Sequence, residues 1–203
     1  MIRELLYKIF FKIKLIKRKF QVIPEMSEKR SVIEFYRKIF EPKVMVETGT
    51  FFGDTIEYFK SKFETLYSIE LSEELAERAV KRFANDMQVK IVQGDSGIVL
   101  KSILSEINSP VLFWLDGHYS SEFYIKGEFV RTAKGATDTP VKKELDIILQ
   151  SKVESIILID DARLFNGIND YPTIREVKKK VKSYNANYSV FVKKDIIHII
   201  PKK

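Results

Sequence analysis

Apolar residues recur along this chain in two different rhythms. Over residues 2–20 the rhythm is helical. At about 100° per residue, Ile2, Leu5, Leu6, Ile9, Phe10, Ile13, Ile16 and Phe20 fall on one arc of about 140°, and most bases lie outside it. Pro24 interrupts that pattern. A second helix is expected over 27–40, capped by Ser27, carrying Val32, Ile33, Phe35, Tyr36 and Ile39 as its apolar surface and ended by Pro42. Beyond it, short apolar runs alternate with helical stretches. Strands are expected at Val44–Glu47, Thr65–Glu70, Val89–Gln93, Val111–Asp116, Ser155–Ile159, Tyr188–Lys193 and Ile196–Ile200. Between them, helices are expected from about Asp54 to Lys62, from Ser72 to Ala84, from Gly97 to Ile107, from Thr139-Pro140 to Gln150 and from Pro172 to Ser183. Residues 119–138 follow neither period and contain Gly127 and Gly135, so they read as a loop.

Strands separated by helices imply right-handed crossovers and a mostly parallel sheet. The last two strands have no room for a crossover helix and should pair antiparallel. The expected fold is therefore α/β and Rossmann-like: about seven strands, a C-terminal antiparallel hairpin and helices on both faces. The organisation that follows is a basic amphipathic helix over 1–24 and one domain over 25–203.

Composition narrows the chemistry. The 203 residues include no cysteine, which excludes disulfides, thiolate catalysis and Cys-ligated zinc, and agrees with a cytoplasmic location. The two histidines, His118 and His198, exclude a multi-histidine metal centre, so a metal would rest mainly on oxygen. The net charge is +7, yet residues 1–20 hold seven bases against one acid, which leaves the remainder close to neutral. A nucleic-acid partner is not expected from that balance. No run reaches the roughly 18–20 apolar residues of a membrane span, and the lysine-interrupted start does not resemble a secretory signal. Residues 1–20 fit either of two roles: peripheral contact with an anionic membrane inner surface, or packing on the domain or a second subunit. Tyr7, Phe11 and Leu15 widen the apolar surface and suit packing at least as well as lipid.

The candidate chemistry lies at the expected strand ends, where open α/β sheets bind ligands. An acid stands at or near each of five: Glu47, Glu70, Asp95, Asp116 and the Asp160-Asp161 pair. The first turn, Glu47-Thr48-Gly49-Thr50-Phe51-Phe52-Gly53, spaces its glycines as G-x-x-x-G and lacks both the dinucleotide fingerprint and a Walker lysine. Gly49 and Gly53 let backbone approach a ligand, while Glu47 disfavours phosphate and suits an ammonium. An ordinary βα turn explains the same residues. Glu70 is placed either to accept from both hydroxyls of a ribose or to interact with the dipole of the next helix. Asp95 and Ser96 fit beside an adenine, although Asp95 also suits a helix cap. His118 is a candidate general base, or a group that positions substrate, whereas His198 in an apolar strand suits a structural role. Tyr119, Phe123, Tyr124 and Phe129 suit either a lid or an interface.

Taken together, VETGTFFGDT, YSIE, VQGDS, FWLDGH and ILIDDA resemble the class I S-adenosylmethionine (SAM)-dependent methyltransferases. They are most similar to the metal-dependent small-molecule O-methyltransferases of the catechol and macrolide-sugar groups. The likeness covers about residues 43–161. It implies a SAM site at Glu47, Gly49, Thr50, Gly53, Glu70, Asp95 and Ser96. It also implies a Mg²⁺-class site at Asp116, Asp160 and Asp161, with Asp116 and His118 at the reacting hydroxyl of a small, polyhydroxylated or sugar-like acceptor. The rival readings are a metal-independent or nitrogen-directed methyltransferase and a non-catalytic protein of the same fold. The 119–138 stretch is longer than its counterpart in catechol-type enzymes.

Overall fold

A computed structural model describes residues 24–119, 122–125 and 128–202, with only the backbone considered at 122–125 and 128–131. The helix expected over residues 2–20 lies outside the described residues.

Helix α1 (Met26–Phe40) begins one residue earlier than expected. Glu25 occupies the cap position, its carbonyl accepting from the amides of Glu28 and Lys29, so Ser27 is already inside the helix and does not cap it. Glu41, in the left-handed region, ends the helix just before Pro42. Strand β1 (Val44–Thr48) follows, then α2 (Asp54–Phe59), β2 (Thr65–Glu70) and α3 (Glu73–Arg82). Next come β3 (Val89–Gln93), α4 (Ser96–Ser105) and β4 (Val111–Leu115). Residues 119–138, expected to be loop throughout, contain a small antiparallel hairpin, β5 (Glu122–Ile125) and β6 (Glu128–Arg131). The chain ends with α5 (Val141–Gln150), β7 (Ser155–Ile159), α6 (Ile174–Tyr184), β8 (Tyr188–Lys193) and β9 (Ile196–Pro201).

The seven-stranded sheet runs β3-β2-β1-β4-β7-β9-β8, with β9 antiparallel to both β7 and β8 and every other neighbouring pair parallel; the C-terminal hairpin is as expected. Helices cover both faces, so the central strand β4 is apolar at every position. Val111, Phe113 and Leu115 of β4 pack with α4, α5 and α6, while Leu112 and Trp114 point the other way, towards α1, α2 and α3. In β7 the same alternation sends Ile157 and Ile159 to the first face, and Ile156 and Leu158 to the second.

Lys194 and Asp195, both with positive φ, close the β8–β9 hairpin in a two-residue turn. Such a turn matches strand twist but is strained for these residue types. Asp195 recovers part of that cost: its carboxylate accepts from the Arg163 amide and pairs with the Arg163 guanidinium, and its carbonyl accepts from the amide of Ala162. The hairpin turn is thereby fastened to the segment that follows β7. His198 is buried in β9, bonded to the Tyr36 hydroxyl (2.9 Å) and the Lys193 carbonyl (3.1 Å) and stacked on Phe191, which gives it the structural role expected.

Candidate active site

Strand order reverses between β1 and β4. The crevice at such a switch point is where ligands bind in open α/β sheets. Its floor is bare backbone. Gly49 has φ +87°, and a Cβ there would lie 2.6 Å from the Asp116 carbonyl oxygen. A Cβ on Gly117 would meet Thr48 Oγ1 at 3.1 Å, so the ends of β1 and β4 approach at two glycines. Above this floor lies a cavity of about 240 Å³, bordered by Phe51, Leu71 and Leu75 on its apolar side and by Glu70, Asp95 and His118 among its polar groups.

Glu70 is held by main chain. Phe51, forced to a positive φ of 50°, donates its amide to Oε2, and Ser72 donates its amide to Oε1, both at 2.9 Å. The backbone amides of Leu71 and Thr50 add to these two anchors. Burial raises the Glu70 pKa above the usual carboxylate value, and the backbone donors from Ser72 and Phe51 work against that rise. Asp95 caps α4 by accepting from the amide of Gly97 (2.8 Å) and still borders the cavity. Ser96 also borders it, but its hydroxyl donates inward to the buried Glu144 at 2.6 Å.

Three residues of the first motif stand behind the cavity. Glu47 is buried and accepts from Ser68 Oγ (2.6 Å), which in turn bonds Thr50 Oγ1 (2.7 Å). Burial foremost pushes the Glu47 carboxyl up to about 8, and the charge of Asp116 adds to the effect. Gly53 faces the Phe83 ring, which a Cβ would approach to 2.7 Å. Gly49, Glu70, Asp95 and Ser96 are therefore brought together at the cavity wall, whereas Glu47, Thr50 and Gly53 support it from outside.

At the other end of the crevice, acids from β4 and β7 meet three cationic or titratable partners. His118 lies between two carboxylates, with Nδ1 3.4 Å from Asp116 Oδ1 and Nε2 3.5 Å from Asp161 Oδ2. Burial lowers its pKa, but the hydrogen bond and charge of Asp116, with the charges of Asp161 and Asp160, leave it raised above 6.5. Lys29, from α1, pairs with Asp160 Oδ2 and stands 3.9 Å from Asp161 Oδ1. Arg163 pairs with Asp161 Oδ1 at 2.6 Å and with Asp195. Burial, and then Asp116, push Asp160 up to about 7, with Lys29 pulling the other way. For Lys29 itself, burial favours the neutral form, yet Asp160 and the other two acids hold its pKa above the ordinary lysine value.

This donor set does not fit a divalent metal as arranged. Mg²⁺ needs unobstructed oxygens about 2.0–2.1 Å away in octahedral array. Here Asp160 Oδ1 accepts the Asp161 amide at 2.8 Å, Oδ2 holds Lys29, and Arg163 takes Asp161 Oδ1. Among the described residues no three histidine or acidic side chains form a metal-ligand group. Sequence reasoning placed the three aspartates in one region but missed Lys29, Arg163, Asp195 and the apolar wall of Phe51, Leu71 and Leu75. A signal for Lys29 existed: it lies four and seven positions before Ile33 and Tyr36, on the buried stripe of its helix.

Strand order, the single reversed strand β9 and the crevice between β1 and β4 give the fold of the class I SAM-dependent methyltransferases. No protein-family model and no curated protein matches the sequence. Among solved structures, the chain is similar to the O-methyltransferase from Bacillus cereus in complex with S-adenosylhomocysteine (SAH), at 12% identity and a TM-score of 0.55, over 94% of this chain and 88% of that one. It is similar to SAH-bound PaMTH1 from Podospora anserina at 18% identity and a TM-score of 0.53, over 86% and 78%. It is also similar to the 23S rRNA methyltransferase ErmE at 11% identity and a TM-score of 0.51, over 89% and 69%. These likenesses concern the fold, and the acceptors named among them differ in kind. Among the described residues no helix is long and apolar enough to cross a membrane.

Proposed function

We propose that this chain is a SAM-dependent methyltransferase that methylates a hydroxyl of a small, polyhydroxylated or sugar-like acceptor. The observation that carries the reading is the Glu70 carboxylate, fixed by two backbone amides at the wall of a glycine-floored cavity. Two solved structures of the same fold carry SAH by description, which supports this choice of ligand.

When bound, SAM supplies a methyl group on a positively charged sulfur that needs no further activation. The protein's task is then alignment and proton removal. Glu70 accepts from the ribose hydroxyls. Phe51, Leu71 and Leu75 offer an apolar wall to the adenine, and Asp95 an acceptor for its amine. Gly49 and Gly117, at the cavity floor, border the space for the chain between ribose and sulfur. Beyond them, His118 takes the hydroxyl proton at Nε2 while Asp116 stabilises the imidazolium from the Nδ1 side. The new O–C bond forms as the S–C bond breaks, and the proton ends on His118. The divalent ion implied by the resemblance has no step in this scheme, because Lys29 and Arg163 already hold the oxygens it would need.

Calorimetric titration of the full chain with SAH tests the reading. Micromolar or tighter binding that Glu70→Ala weakens supports it. No detectable binding to well-folded wild type overturns it.

A further inference from the structure

We propose that Lys29 is the resident cation of the Asp116–Asp160–Asp161 cluster, occupying the place of a divalent metal and excluding one. The argument begins with the alternation in β7. Ile156 and Leu158 face α1, and Asp160 continues that face one step past the strand end, its amide still bonded to the Leu115 carbonyl at 3.0 Å. The same alternation that buries two apolar side chains under α1 therefore delivers a carboxylate to it.

Lys29 meets that carboxylate from the stripe that carries Ile33 and Tyr36. Its side chain is 11% exposed and that of Asp160 only 1%, so this is an ion pair enclosed by the fold. A second, solvent-exposed contact lies beside it: Lys194, in the β8–β9 turn, pairs with Glu28 at 3.4 Å. Lys29 is thus held from its own helix, beside the turn that also carries Asp195.

Most of the cluster's negative charge is matched without outside help. Lys29 and Arg163 bring two fixed positive charges to Asp160, Asp161 and Asp195, and His118 bridges Asp161 to Asp116. An ammonium has three donors and no coordination geometry to satisfy. It can hold Asp160 and still turn a donor towards an acceptor oxygen near His118, a positioning role that rests on the methyltransferase reading. The exclusion of metal does not rest on it.

The test is Mn²⁺ titration of the full chain, followed by the loss of the free-ion EPR signal. Wild type should bind no Mn²⁺ at sub-millimolar concentration. Lys29→Met, which keeps length and removes charge, should gain a site at least tenfold tighter, and adding Asp160→Asn should abolish it. Lys29→Gln serves if the methionine variant does not fold, and Lys29→Arg should behave as wild type. Tight Mn²⁺ binding by wild type overturns the proposal and needs no variant. So does a folded Lys29→Met or Lys29→Gln protein that gains no site. SAH titration of the same samples separates the two claims: lost SAH binding in wild type refutes the methyltransferase reading alone.

Discussion

On the β1–β3 side of the crevice, Glu70 is held by the amides of Phe51 and Ser72, 19 and 2 positions away in sequence. On the β4–β7 side, Asp160 is held by a lysine 131 positions away, and Asp161 by an arginine that a third carboxylate, 32 positions further on, holds in turn. The first arrangement follows from the shape of two consecutive turns. The second exists only after α1 and the C-terminal hairpin have docked on the sheet. Main-chain anchors carry small dipoles rather than full charges. Ion pairs engage the carboxylates themselves, which is why one half of the crevice still offers Glu70 to a ligand while the other has most of its charge already matched.

The largest expected effect breaks the second half alone. Arg163→Met strands Asp161 and Asp195, which are nearly buried, and loss of one partner from such a pair costs about 3 kcal/mol. Urea melts should show it, with SAH affinity little changed; a loss under about 1 kcal/mol would mean that the pairing is solvent-screened. In the first half, Glu70→Ala removes charge-assisted hydrogen bonds worth roughly 1.5–3 kcal/mol each, less what water recovers. SAH affinity should fall by roughly 10–100-fold.

A third measurement tests the burial behind that half. The Glu47 carboxyl goes from an ordinary 4.5 to about 8 on folding, so the folded chain keeps a proton that the unfolded chain releases. Its contribution to stability is full below pH 4.5, declines as pH rises, and stops declining near 8. The slope in that window is negative, stability falling as pH rises. Glu47→Gln, an uncharged mimic of the protonated acid, should flatten that slope in melts from pH 5 to 8; an unchanged slope would show that Glu47 ionises freely in the fold. The smallest effect is local. By NMR, the His118 imidazole should titrate above 6.5, and Asp116→Asn should lower its midpoint. A midpoint at or below 6.5 in wild type would mean that burial outweighs the neighbouring acids.

Legibility in the sequence follows the same division. Strands such as Ser155–Ile159 are readable because burial on both faces leaves an unbroken apolar run between turn residues. Glu70, Asp95 and Asp116 are readable because strand ends fix where they stand. Ser27 misled as a cap because the Glu25 carbonyl already starts the helix. The β5–β6 hairpin was hidden because its strands are only four residues long. Lys29 was legible only as a polar member of the buried stripe of α1, since nothing local to that helix says which strand end it will cover.

The fastening of the β8–β9 turn to Arg163 also sets an order of events during synthesis. Every residue that anchors Glu70 and Asp95 has been translated by position 97. The partner that shares Arg163 arrives only with Asp195. Ribosomes add roughly 5–20 residues per second, so the second half trails the first by on the order of 5–20 s. For that interval the nascent chain carries the groups proposed to grip a cofactor, and over its last 32 residues Arg163 is present without the carboxylate that fixes it beside Asp161.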